Sequence, residues 1–187
     1  MKIELLNDTH FGCRNDSPAF MNYHNRFYDE IFFPYIEKNN IKTLVHLGDV
    51  VDRRKFINHN TAHNFREKFW DKIHDLKIDT HIIIGNHDTY YKNTNEVNAI
   101  ENLNIGPDIK IYTQPREVDF DGTLIQFLPW ICDDNYDDVA LQPGEDREFK
   151  NQFREFLQKN LKMEEQPKVE KKKKKTRVRK PTSKLFH

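Results

Sequence analysis

Only two cysteines occur in the 187 residues, Cys13 and Cys132. That is too few for a disulfide framework, and they form no CxxC pair. Nothing in the count asks for an oxidising compartment. No apolar stretch approaches the roughly 20 residues of a membrane-spanning helix. The opening MKIELLNDTH reaches acidic and histidine residues too early for a secretory signal. A cytoplasmic protein without membrane contact is therefore expected. Hydrophobic residues are also scarce, at 36 % against the usual ~45–50 %, and mean hydropathy is −0.89. Yet 14 Phe, 7 Tyr and 2 Trp argue against wholesale disorder, and the length fits one domain on a prior of ~150 residues each.

A net charge of zero hides two opposites. Residues 162–187 carry 11 basic and 3 acidic residues, and the other 161 carry 19 and 27. An acidic body with a basic tail points to polyanion contact by the tail and to a need for cations in the body. The run Lys171, Lys172, Lys173, Lys174, Lys175 continues through Arg177, Arg179 and Lys180. Such a run binds phosphates without sequence preference, and affinity falls steeply with salt. No aromatic is interleaved with it, so base stacking there is not supported. A solvated segment without a partner is an equally good reading.

The periodicity alternates between strand and helix. Residues 2–7 read as a strand ending at Asp8, 43–47 as a buried strand closed by Gly48-Asp49, and 80–84 as a third closed by Gly85-Asn86. Between them, Phe20, Tyr23, Phe27, Ile31, Tyr35 and Ile36 are spaced as one helix face, with Pro34 as an expected kink or stop. Ala62, Phe65, Phe69, Ile73 and Leu76 repeat the helical spacing over 61–76. A short helix over 95–103 precedes strands at 109–112, 116–120 and 123–128, with Asp121-Gly122 as a hairpin turn. Strand-helix-strand alternation predicts βαβ units around a parallel sheet. The later meander predicts antiparallel strands at one edge or in a second sheet. No internal repeat is found. Residues 1–132 form the expected folded part, 133–161 an acidic loop and an amphipathic helix, and 162–187 a basic tail without apolar periodicity.

Three polar clusters close the three predicted parallel strands: Asp8-Thr9-His10, Gly48-Asp49-Val50-Val51-Asp52 and Gly85-Asn86-His87-Asp88. Sites in open α/β sheets form at that edge, because neighbouring strands deliver their loops to one place. Strands about 5 Å apart put Asp8, His10, Asp49 and Asn86 within reach of a common point. Carboxylates, an imidazole and an amide gathered there call for a cation, and mixed oxygen and nitrogen donors suit Mn²⁺, Fe²⁺ or Zn²⁺.

DxH, GDxxD and GNHD in this order resemble the calcineurin-like metallophosphoesterases. Gly48-Asp49-Val50-Val51-Asp52-Arg53-Arg54-Lys55 and Leu128-Pro129-Trp130 are similar to the SbcD-type nuclease subunits, above all the bacteriophage recombination endonuclease version, whose place is the host cytoplasm. The resemblance covers about residues 1–132. It implies an α/β metallophosphoesterase sandwich, βαβ units with a mixed sheet, ending before its C-terminal half. It implies metal-dependent phosphodiester hydrolysis on DNA, exonucleolytic and endonucleolytic, in recombination, repair and replication. The implied partners are DNA, an SbcC-type coiled-coil ATPase and a second copy of the chain. By the same resemblance two Mn²⁺ ions occupy the complete site. Asp8 and His10 hold the first, Asp49 bridges both, and Asn86 holds the second. His87 meets the scissile phosphate, Asp88 orients its ring, and Asp52 supports a ligand histidine.

The family completes this site with a further His and a GHxH motif. No glycine here is followed by histidine, and after His87 the next histidine is His187. The second ion then keeps two protein ligands, Asp49 and Asn86, where catalytic sites usually have three or more. This favours a second reading, an inactive or split fragment serving as a partner- or DNA-binding module. His46, inside an apolar strand, reads as a core histidine. His59 and His63 share a helix face and read as solvent or interface residues.

Overall fold

A computed structural model describes residues 1–103, 105–106 and 109–141. The chain divides into Met1–Gly144 and Glu145–His187. The helix read at 146–161 and the basic residues from Lys171 to Lys180 lie outside the described residues.

The elements follow the predicted alternation. Strand β1 (Ile3–Leu6) leads to helix α1, which runs from Pro18–Phe27 through a π-helical turn at Tyr28–Phe32 into Phe33–Lys38. Strand β2 (Thr43–His46) precedes helix α2, built as His59–Phe65, a second π-helical turn Arg66–Trp70, and Asp71–Asp75. Then come β3 (Asp79–Ile83), α3 (Ala99–Leu103), β4 (Ile109–Tyr112), β5 (Arg116–Phe120), β6 (Thr123–Phe127) and α4 (Tyr136–Leu141). β1, β2, β3 and β4 form one parallel sheet in that order. β5 and β6 pair antiparallel in a separate ribbon. The predicted meander thus divides, its first strand extending the parallel sheet and the other two making the second.

Alternation along the strands assigns side chains to two cores. Leu44 of β2 and Ile82 of β3 face α1 and α2, joining Tyr28, Phe32, Phe33, Phe65, Phe69 and Trp70. Val45 and Ile83, one residue on, face the ribbon and meet Tyr112, Phe120 and Phe127. Helices on one face and a ribbon on the other hold the sheet as the middle layer.

Helix α1 departs from its predicted face. Ile36 is buried, but Phe20, Tyr23, Phe27, Ile31 and Tyr35 are exposed, and the buried aromatics are Tyr28, Phe32 and Phe33. Pro34 neither stops nor breaks the helix. It lacks the N–H that Glu30 would receive, and the preceding turn widens so that the Phe33 N–H bonds the Tyr28 carbonyl. That extra residue rotates the downstream part relative to the upstream part, so one stripe drawn through both cannot stay on one face. Segment 133–138, read as loop, becomes α4 from Tyr136. Buried Asn135 fixes the turn before it, accepting from the Cys132 N–H at 2.9 Å and donating to the Trp130 carbonyl at 3.0 Å.

Phe69 is fully buried, with ring centroids of Trp70 at 5.0 Å and Tyr28 at 5.1 Å. Truncation leaves a void that this rigid aromatic cluster fills poorly. Phe69→Ala is expected to lower stability by about 3–5 kcal/mol in urea unfolding.

Candidate metal centre

Parallel register aligns Leu6 with His46 and His46 with Ile82, so the loops after β1, β2 and β3 emerge side by side. The first loop then zips along the second. The Asp8 N–H bonds the Gly48 carbonyl at 3.3 Å, the His10 N–H the Asp49 carbonyl at 3.0 Å, and the Phe11 N–H the Val50 carbonyl at 2.8 Å. The second and third loops meet through glycines. A Cβ on Gly48, where φ is +103°, would lie 2.8 Å from both N and Cα of Gly85. A Cβ on Gly85 would overlap the Asp49 backbone nitrogen and Oδ1. No other residue type fits that approach.

These loops bring together Asp8, His10 and Asp49, whose ligand atoms all lie within 4.8 Å of one another. Among the described residues this is the one such group. His10 Nε2 is 3.6 Å from Asp8 Oδ1 and 4.0 Å from Asp49 Oδ2. All three residues adopt left-handed backbone, with φ of +52°, +41° and +53°. Left-handed conformations cost non-glycine residues on the order of 1–2 kcal/mol each, and strain of this kind gathers where function requires a geometry.

Asn86 joins from the third loop. One amide atom sits 3.3 Å from Asp49 Oδ1 and 3.1 Å from Oδ2. With nitrogen there, the amide donates to the carboxylate. With oxygen there, three oxygens converge, an arrangement that a cation makes favourable. Two carboxylates, one imidazole nitrogen and an amide oxygen are a donor set that fits a divalent ion.

The surrounding groups are tightly assigned. Asp49 Oδ1 accepts the His87 N–H at 2.8 Å. The His87 ring donates from Nδ1 to the Asp52 carbonyl at 2.6 Å, so in the neutral ring the lone pair is on Nε2. It stands edge-on to the His10 ring at 4.8 Å. Asp52 Oδ1 lies 4.0 Å from His10 Nδ1. The sequence reading gave Asp88 the task of orienting His87, but its carboxylate instead accepts the Gly85 N–H at 2.9 Å and the Val51 N–H at 3.1 Å. Burial pushes the Asp88 carboxyl up to about 6, against the backbone donors that lower it. Asp88 therefore clamps the third loop to the second, and the His87 ring takes its direction from the Asp52 backbone.

His46, read from sequence as a core histidine, and Thr9 also contribute to the loop frame. His46, fully buried, accepts the Gly48 N–H on Nδ1 at 3.2 Å. Its proton then belongs on Nε2, 3.0 Å from Thr9 Oγ1, and that hydroxyl donates to the Val50 carbonyl at 3.1 Å. A histidine closing an otherwise apolar strand just before a Gly-Asp turn was the visible signal. His59 and His63 are exposed on α2, with His63 3.7 Å from Glu67, and both stay apart from the site.

The calcineurin-like phosphoesterase family matches residues 1–178, and the chain belongs to that family. The family implies divalent metal binding, and the Asp8, His10 and Asp49 cluster is its candidate place. The chain is also 37 % identical over 140 residues to exonuclease subunit 1 of Enterobacteria phage T4, covering 74 % of this chain and 41 % of that protein. It thus spans about two fifths of the length of this curated relative. Among the described residues no helix is long and apolar enough to cross a membrane.

Two outcomes follow from this packing. Burial, with a smaller push from nearby His10, holds His46 down to about 3 from 6.5. The unfolded chain takes up a proton that the folded one refuses, so below pH ~6.5 stability falls by about 1.4 kcal/mol per pH unit until pH ~3. Above that window His46 contributes no pH dependence. His46→Gln removes this share of the slope in urea unfolding, and slopes identical to wild type would contradict the assignment. Gly85→Ala forces Asp49 aside, so a loss of about 2 kcal/mol of stability is expected together with loss of divalent-ion binding in calorimetry.

Proposed function

We propose that this chain carries the hydrolytic centre of a metal-dependent DNA nuclease subunit acting in recombination, repair and replication. The convergence of Asp8, His10, Asp49 and Asn86 at one sheet edge carries the reading. Family membership and the likeness to a phage exonuclease subunit support it. In this reading Asp8 and His10 would hold one Mn²⁺, Asp49 would be shared with a second, and Asn86 would offer its amide oxygen to that second ion. Bound divalent ions supply an activated water and positive charge for the phosphate. With Nδ1–H given to the Asp52 carbonyl, His87 Nε2 is the atom left for the phosphate, and in the doubly protonated ring it would give its proton to the leaving oxygen or hydrogen-bond the developing charge. Asp88 and Asp52 position these groups through the backbone. The basic run from Lys171 to Lys175 with Arg177, Arg179 and Lys180 adds phosphate contact without sequence preference. An SbcC-type coiled-coil ATPase and a second copy of this chain are the proposed protein partners.

Calorimetric titration of the full chain with Mn²⁺ tests the centre. Binding is expected for wild type and is expected to vanish in Asp49→Ala. Incubation with linear DNA, alone and with an SbcC-type ATPase, tests the activity. Mn²⁺-dependent strand cleavage, lost in Asp49→Ala and reduced about 10²-fold or more in His87→Ala, is the expected result. Metal binding without cleavage under both conditions would leave the chain a binding module and overturn the nuclease reading.

A further inference from the structure

On the two loops that carry Asp52 and His87 stand three exposed aromatic rings, two of them against cations and the third against its neighbouring ring. Phe56 is 60 % exposed, Tyr91 50 % and Tyr90 40 %. The Arg53 guanidinium lies 4.4 Å from the Phe56 ring centroid. Arg53 is itself fixed, donating to Asn15 at 3.1 Å and pairing with Asp16. It therefore backs one side of Phe56 as a held plate and leaves much of the ring open. Lys55 Nζ lies 5.7 Å from the Tyr90 ring, and Tyr91 meets Tyr90 edge-on at 4.7 Å. The Tyr90 N–H is anchored on the Val97 carbonyl at 2.8 Å, so the tyrosine pair stands on a pinned loop.

Both loops belong to the centre. Phe56 follows Asp52 by four residues, and Tyr90 follows His87 by three, while the His87 ring is bonded to the Asp52 carbonyl. Chain reach alone puts Phe56 within about 14 Å of Asp52 and Tyr90 within about 11 Å of His87. Large rings kept in water and grouped beside a polar centre suit a ligand with its own flat faces. Rings alternating with cations match a polyanion whose bases are unstacked, because each base offers a π face and each link a phosphate. A duplex hides those faces inside its own stack.

We propose that Phe56, Tyr90 and Tyr91, with Arg53 and Lys55, form a platform on which unpaired nucleotides of a single-stranded segment stack as it enters the centre. This rests on the nucleic-acid reading above and extends it from phosphodiester chemistry to recognition of unpaired bases. The rings, not the phosphates, then set the preference for single strands.

Fluorescence anisotropy of the full chain in EDTA, with a labelled single-stranded oligonucleotide and a blunt duplex of the same sequence, separates the possibilities. Phe56→Ala and Tyr90→Ala are each expected to weaken single-strand binding about five- to a hundredfold and to change duplex binding much less. Tyr90→Phe and Phe56→Trp keep a stacking face and are expected to bind as wild type, and all four variants should retain wild-type Mn²⁺ binding in calorimetry. Equal losses on both oligonucleotides, or unchanged single-strand affinity in the alanine variants, would overturn the platform and leave the nuclease reading standing. Failure of the wild-type chain to bind either oligonucleotide would overturn the nucleic-acid reading itself.

Discussion

The loops after β2 and β3 approach so closely that a side chain on either Gly48 or Gly85 would strike the other loop, and most of the centre depends on that approach. It brings the Asp49 carboxylate under the His87 N–H and beside the Asn86 amide. The close contact is held from both sides. Asp88 ties the Gly85 and Val51 backbones together below it, and His46 ties Gly48 to Thr9 and so to the first loop. Each tie uses a fully buried polar side chain with its hydrogen bonds satisfied, which makes the tie rigid and costly to break. The first loop needs no such clamp at its backbone, because it continues the ladder from Asp8 to Phe11. Three left-handed residues are therefore maintained by a frame built outside the charged cluster.

Much of this frame was legible in the chain before its structure, because parallel strands deliver their ends to one edge whatever the details between them. DxH, GDxxD and GNHD each close a strand, so their convergence follows from alternation alone. What escaped the sequence depends on exact turns. Periodicity marked the helix spanning residues 18–38 but not its buried face, since the π-helical turn at Tyr28–Phe32 inserts a residue that an even 3.6-residue count ignores. His46 read as a plain core residue because one partner, Thr9, lies in another loop and the other is the backbone N–H of Gly48, which leaves no mark in the sequence. Asp88 was assigned to its neighbour in sequence, whereas its carboxylate turns inward to two backbone donors. The ring of Tyr90 drew no notice because its cation, Lys55, becomes a neighbour only when the loops meet, and Phe56 because its cation, Arg53, is held over it by Asn15 and Asp16 of another loop.

Charge explains why such a frame is needed. Asp8, Asp49 and Asp52 crowd around His10 with its Nε2 between two carboxylates, in a body that carries an excess of acidic residues. Left to themselves these groups would separate, and the loops that carry them are strained in the conformation that gathers them. Folding that forces them together is thermodynamically sensible when a cation repays the repulsion on binding. The frame also keeps the cluster assembled at the moment of binding, so affinity is not spent on ordering loops.

The two oxygens of Asp49 are not equivalent, and this bears on how the centre fills. Oδ2 faces His10 and, beyond it, Asp8, so an ion on that side meets two carboxylates and an imidazole. Oδ1 has already spent one lone pair on the His87 N–H. The Asn86 amide, 3.3 Å from Oδ1 and 3.1 Å from Oδ2, straddles both oxygens, so an ion on the side away from His10 meets one shared charge and one neutral dipole among the described residues. Coulomb attraction and ligand number both favour the first position. In the proposed two-ion reading the His10 side therefore fills first. In that reading a second ion would rely in large part on the negative charge of a bound phosphate.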